Sequence, residues 1–295
     1  MAKKTQRLGI IGGTGLGETL LKDTQGEIHE MDTPFGQPSA GIITSEYQGV
    51  PVAVLARHGE GHMLNPSAVP YRANIWALKE LGVTHIIASG ACGSLQEEIA
   101  PRHLVVADQV IDKTFKRAST FFDELLAVHV DFAYPFCSKL RKALLDAAGQ
   151  VDTTIHDGGT YVCMEGPAFS TRAESLLHRA WGAHLIGMTC MPEAKLAREA
   201  EMCYALVALA TDYDCWKEHT GDLDQHALMQ TIIANVNAAT AYAIALIQAA
   251  IPAAGALLEQ DCEHQHALAL GIWSDKACIT DPVYHRLGLL IERYV

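Results

Sequence analysis

The sequence predicts one α/β domain on a largely parallel sheet, and three observations predict it. Six short apolar runs recur along the chain, continuous rather than alternating, as in strands buried on both faces. Helical patterns separate several of them, which favours parallel crossovers. Small, polar or charged residues follow several of the runs, and open α/β sheets bind ligands beside the carboxyl ends of their strands.

The runs are residues 7–12, 51–56, 84–88, 104–110, 184–188 and 203–210. Helical periodicity falls at 73–81, 138–148, 172–180 and 193–201. A long Ala-rich helix is predicted over 228–248, closed by Ile251-Pro252, with two more helical stretches around Pro282. The simplest division is a domain over 1–252 and a helical C-terminal extension over 253–295 packed on it.

The 295 residues, 49% hydrophobic, supply a substantial core. A formal charge of -12 argues against a nucleic-acid or anionic-membrane surface, so an anionic small substrate needs a local basic pocket. No run is long and apolar enough to suggest a bilayer span, and the basic start lacks a signal-peptide core, so a cytoplasmic protein is expected. The eight cysteines, at 92, 137, 163, 190, 203, 215, 262 and 278, include no Cys-x-x-Cys pair. No metal site is expected; reduced core packing is the default.

Asp212 and Asp214 follow the sixth run. A buried carboxylate needs a partner or a proton. A protonated Asp can donate to a ring nitrogen, and an ionised one can accept from an exocyclic amine, so the pair suits a heterocyclic base. An Asx-turn or helix cap is the plainer alternative.

Three segments are candidates for an anion. Gly12-Gly13-Thr14-Gly15 can aim backbone N–H groups and a hydroxyl at one, or simply turn the chain. It lacks the third glycine of a dinucleotide fingerprint, because Glu18 stands there, and no Gly-Lys-Ser/Thr follows. Arg57-His58 offers a guanidinium with an imidazole donor beside it. The small residues 89–94, including Gly90 and Ala91, read as a loop allowing close backbone approach. Thr189 is either near a helix cap or a further donor, with Pro192 in the first helical turn. Their joint reading is a pocket for inorganic phosphate.

Longer stretches then carry a resemblance: residues 9–16, 33–39, 55–59, 74–80, 91–95, 165–175 and 210–219. The chain resembles the S-methyl-5′-thioadenosine phosphorylases of the trimeric purine nucleoside phosphorylase superfamily over residues 7–250. The resemblance implies a mixed, mostly parallel sheet flanked by helices, and a pentosyltransferase cleaving methylthioadenosine with phosphate as co-substrate and no cofactor. A purine nucleoside phosphorylase for adenosine or 6-oxo nucleosides is the alternative; an NAD-binding or regulatory module is weakened by Glu18.

It further implies that Thr14, Arg57, His58, Gly90, Ala91 and Thr189 bind phosphate, although the family usually has Thr where Gly90 stands. Phe169 would stack on the purine, and Ile186 and Met188 would pack on base and ribose. Asp212 would face N7 and Asp214 the 6-amino group, with burial and Asp214 raising the Asp212 pKa. A homotrimer with shared sites would let His129 line the neighbour's 5′-thio pocket. Leu223, Gln225, His226, Leu228 and Met229 match the rest of that pocket; Gln225 and His226 are polar where the family is aliphatic.

Overall fold

The computed structural model describes residues 5–13, 26–124, 126–217 and 225–295, the side chains of the last stretch from 229 onward. Its strands are β1 (Arg7–Gly12), β2 (Glu27–His29), β3 (Ile42–Tyr47), β4 (Val50–Ala56), β5 (Val83–Ser94), β6 (Leu104–Val106), β7 (Gln109–Lys113), β8 (Ile155–Asp157), β9 (Thr160–Met164), β10 (Leu185–Gly187) and β11 (Cys203–Tyr213). The helices are α1 (Tyr71–Glu80), α2 (Ser138–Asp146), α3 (Arg172–Ala180), α4 (Cys190–Glu199), α5 (Gln225–Gly255) and α6 (Asp281–Ile291).

The eleven strands among the described residues join one mixed sheet. Parallel pairings link β1 with β4 and β5, β11 with β5, β9 with β7 and β10, and β6 with β8. Antiparallel pairings join β2 to β3, β3 to β4, β10 to β5 and β11 to β6. The twelve-residue β5 is the branch point: its first half pairs with β1, its far end with β10, and nearly its whole length with β11.

The continuous apolar runs are explained by helices on both faces. Along β11, Tyr204, Leu206, Ala208 and Ala210 enter one core with Ile75 and Trp76 of α1, Leu196 of α4 and Leu287 of α6. The intervening Cys203, Ala205, Val207 and Leu209 enter a second core with Leu140 of α2 and Ala243, Ile247 and Ala250 of α5. Strands covered on both faces carry apolar residues at every position.

Four sequence readings are corrected. Residues 89–94 are not a loop: they continue β5, because β11 and β10 pair with them and override their weak strand propensity. Residues 104–110 split into β6 and β7. Pro252 lies inside α5, which runs one turn further to Gly255, so the boundary expected there falls within a helix. The segment Met229–Gly255 is also long and apolar enough to cross a bilayer. It packs instead on β11, β1 and β4 as a core helix, burying Ala239, Ala243, Leu246, Ile247, Ala250, Ile251 and Ala254.

Beyond α5 the chain returns to the domain, with Leu258 and Cys262 in the second core and Leu268, Val283, Leu287, Leu290 and Ile291 in the first. Its residue Gly271 accepts from the His129 backbone N–H at 2.9 Å.

Candidate active site

Gly93 is where the base-reading candidates meet. It pairs with Ile186 of β10 on one side and with Asp212 of β11 on the other. The register slips between Ala210 and Asp212, placing Thr211 as a bulge; bulges re-aim side chains beside functional sites. A Cβ at position 93 would stand 3.1 Å from the Asp214 Cβ and 3.3 Å from the Ile186 Cγ2, so glycine lets the three elements converge. Asn235 of α5 braces the bulge by donating to the Thr211 carbonyl at 3.0 Å.

The two carboxylates differ. Asp212 is half-buried, and its Oδ1 accepts from the Thr211 hydroxyl at 2.7 Å. Asp214 is buried, its backbone N–H held by the Ser94 carbonyl at 2.9 Å. Its Oδ2 is buried with no hydrogen-bond partner among the described residues. The burial expected for Asp212 therefore falls more heavily on Asp214. Asp212 is no turn cap, because it lies within β11, whereas Asp214 opens a turn in which its carbonyl accepts from the Lys217 N–H at 3.2 Å.

Arg57, at the end of β4, is 1% exposed. Its Nε and Nη2 donate to Glu193 of α4 at 2.7 and 2.8 Å, and its Nη1 donates to the Ser89 carbonyl at 2.8 Å. Burial disfavours its charge, yet the Glu193 carboxylate outweighs that and raises its pKa. The fork expected to grip an anion is thus occupied by Glu193. Among the described residues, two of the five guanidinium N–H groups meet no acceptor and remain for a ligand.

His58 is buried, stacked on His62 with ring centroids 4.2 Å apart. Its Nδ1 lies 2.8 Å from the Leu64 carbonyl, which can only accept, so Nδ1 carries the proton of the neutral ring. Burial pushes its pKa down to about 4. At neutral pH its free Nε2 is an acceptor, not the donor expected from the sequence.

Thr189 sits at the N-cap position of α4 without a capping bond, its hydroxyl unengaged by any described residue. A Cβ at Gly90 would lie 3.2 Å from that hydroxyl, so the two adjoin. Ala91, next along β5, is exposed. Thr14 and Leu223 lie outside the described residues, as do the side chains of Gln225, His226 and Leu228. Met229 is exposed on the first turns of α5.

Ile186 is buried and Met188 half-buried, but Phe169 is 83% exposed and covers nothing. Its loop is tethered by Cys215, whose thiol donates to the Ser170 carbonyl at 3.3 Å, and by a capping box at Thr171 and Glu174 that starts α3. His129 is exposed too, its ring edge-on to Trp273 at 4.7 Å. The structure therefore gathers Ile186, Met188, Thr189, Gly90, Asp212 and Asp214 and leaves Phe169 and His129 facing outward.

Sequence reasoning missed the supporting charges. Besides Glu193, a second pair joins Arg117 to Glu165, with side chains 1% and 6% exposed. Arg117 donates to the carbonyls of Met188 and Met191 at 2.6 Å each, fixing the segment that carries Thr189. Glu165 accepts from the Phe115 N–H at 2.7 Å and from the Ser67 hydroxyl. Burial opposes its charge, but these donors and Arg117 hold its pKa at about 2. Only the partners' distance along the chain concealed them.

Cys92 and Cys190 are fully buried, and burial raises both thiols well above their ordinary pKa, which makes them inert packing groups.

Residues 7–252 match the phosphorylase superfamily. The S-methyl-5′-thioadenosine phosphorylase of Geobacter sulfurreducens is 48% identical over 98% of this chain and 99% of its own. That of Danio rerio is 45% identical over 82% of this chain and 88% of its own. Among solved structures, a methylthioadenosine phosphorylase from an antarctic soil metagenomic library superposes with a TM-score of 0.88 at 41% identity, covering 98% of this chain and 99% of that one. A mutant adenosine/methylthioadenosine phosphorylase of Schistosoma mansoni in complex with methylthioadenosine gives 0.81 at 34% identity, covering 91% and 99%. The chain belongs to the S-methyl-5′-thioadenosine phosphorylases of the phosphorylase superfamily.

Proposed function

We propose that this protein cleaves S-methyl-5′-thioadenosine with inorganic phosphate, giving adenine and 5-methylthioribose 1-phosphate for purine and methionine salvage. One observation carries the reading in the chain itself. Among the described residues, Asp214 Oδ2 is buried without a partner at the point where β5, β10 and β11 converge. A buried carboxylate oxygen is costly unless a donor meets it, and the 6-amino group of adenine is such a donor.

The chemistry is a displacement at the anomeric carbon. A phosphate oxygen bonds to that carbon as its bond to the base nitrogen breaks, through a transition state of oxocarbenium character. The electron pair departs into adenine, so a proton delivered at N7 lowers the barrier. Asp212 supplies that proton contact, with its Oδ1 steadied by Thr211, and Asp214 selects the 6-amino purine by accepting from it. A 6-oxo purine would set an acceptor against that acceptor. No electrons enter or leave, so the reaction needs phosphate and no redox cofactor.

Phosphate is held by the two remaining Arg57 N–H groups, the Thr189 hydroxyl and the backbone beside Gly90 and Ala91, with Thr14 in the same role. His58 Nε2 accepts from a P–OH, which suits it to hydrogenphosphate. Ile186 and Met188 pack on base and ribose. Phe169 and His129 complete the site in a homotrimer, Phe169 over the purine and His129 across the subunit boundary. Exposed Trp273 and Leu270, 72% and 91% accessible near His129, support a covered surface there. The resemblance assigns the 5′ substituent to Gln225 and His226 with Leu223, Leu228 and Met229. Eight free cysteines suit the reducing cytoplasm.

The test is base release from methylthioadenosine, adenosine and inosine, with and without phosphate. Phosphate-dependent release of adenine is expected, fastest from methylthioadenosine. Release of hypoxanthine alone, or cleavage indifferent to phosphate, overturns the proposal.

A further inference from the structure

Three thiols and an imidazole converge at the other end of β11, far from the base-reading carboxylates. Cys203 opens β11, Cys137 immediately precedes α2, and Cys262 and His264 lie in the chain after α5. All four are buried, and their ligand atoms lie within 4.8 Å of one another. From Cys203 to Asp212 is nine strand residues, roughly 30 Å.

We propose that Cys137, Cys203, Cys262 and His264 form a tetrahedral site for Zn2+ that clips residues 256–264 onto the sheet. A three-Cys, one-His set is a closed structural zinc set, and Zn–S bonds of about 2.3 Å put two sulfurs at neighbouring corners about 3.8 Å apart. The Cys137 and Cys262 sulfurs are 3.7 Å apart. The remaining corners need only contract from at most 4.8 Å.

The surroundings fit the charge. Zn2+ with three thiolates carries a net charge of about -1. Arg198 of α4 is 5% exposed and pairs with no carboxylate among the described residues. Its Nη2 lies 2.9 Å from His264 Nε2. It also donates to the carbonyls of Asp131 and Tyr134. Metal binding transfers the His264 lone pair from Arg198 to the ion; Arg198 keeps its backbone acceptors and offsets the site's charge. A cavity of about 250 Å³ lined by Cys137, Lys139, Asp261, Cys262 and His264 gives the ion a way in.

The site has a consequence for the loop at 127–134. Residues clipped by the metal lead directly to Gly271 and Trp273, which hold His129, while Arg198 holds Asp131 and Tyr134.

The experiment measures metal in the full-length protein after expression with added zinc and dialysis into metal-free buffer. About one zinc per chain is expected by mass spectrometry, a lowered Tm after removal by a chelator, and thiolate-to-metal charge-transfer absorption on refilling with Co2+. The Cys262→Ser and His264→Asn variants should lose most of the metal. If those variants do not fold, wild-type stoichiometry and the Co2+ spectrum decide. Wild-type protein with less than about a tenth of an equivalent of zinc, a disulfide joining Cys137 to Cys262 in non-reduced peptides, or Co2+ uptake without thiolate absorption overturns the site.

Discussion

Glu193 holds Arg57 through paired hydrogen bonds of 2.7 and 2.8 Å, and neither side chain is more than 1% exposed. The Tyr204 hydroxyl adds a third bond to Glu193 at 2.8 Å. The pair fixes which face of the guanidinium is left for a ligand.

Glu193→Gln keeps the shape and removes the charge, leaving Arg57 uncompensated in the core. Breaking a buried pair in this way costs about 3–5 kcal/mol. Urea unfolding should show that loss, and KM for phosphate should rise as Arg57 loses its anchor. Equal unfolding midpoints for variant and parent would contradict the account.

Asp214→Asn exchanges an acceptor-only carboxylate for an amide that can also donate. A hydrogen bond to a charged group is worth about 1.5–3 kcal/mol, so kcat/KM on methylthioadenosine should fall roughly tenfold to a hundredfold. Relative activity on inosine should rise. An unchanged ratio between the two nucleosides would detach Asp214 from position 6 of the base.

Gly90→Thr returns a hydroxyl beside Thr189. Its Cβ meets the Thr189 hydroxyl at 3.2 Å, so that side chain must shift by a few tenths of an ångström. One added charge-assisted bond should lower KM for phosphate about tenfold. A rise in KM would mean that the shift of Thr189 dominates.

Glu199 gives a pH signature. Burial raises its carboxyl to about 7, against 4.5 for an ordinary one. The folded protein therefore holds more protons here between pH 4.5 and 7, a contribution complete below 4.5 and lost as pH rises through 7. Burial works oppositely on His58 and His85, both lowered to about 4, whose contribution is present above 6.5 and lost as pH falls to 4. Glu199→Gln removes the opposing group. Its stability should drop more steeply than the parent's from pH 7 to 4.5, and parallel curves would refute this.

The strand runs were legible because burial on both faces leaves a continuous apolar trace, as in β11. Residues 89–94 were not, since Gly90 and Gly93 mimic a loop and only pairing with β10 and β11 makes them strand. Asp212, Asp214 and Thr189 were legible as candidates because strand ends advertise ligand groups. Glu193, Arg117 and Glu165 were not, because a buried charge shows in sequence only as a charge. The Cys137, Cys203, Cys262 and His264 cluster escaped for the same reason: the fold, not a local spacing, brings its members together.

The unbroken run of β5 has one more consequence. Gly90, beside the Thr189 hydroxyl, and Gly93, beside the two carboxylates, belong to the same strand, three residues or about 10 Å apart. The strand is a ruler: in the proposed reaction it would set how far the attacking phosphate stands from the departing base. Loops can tune what lies at either mark, but a residue added or removed between the marks changes the measured length itself.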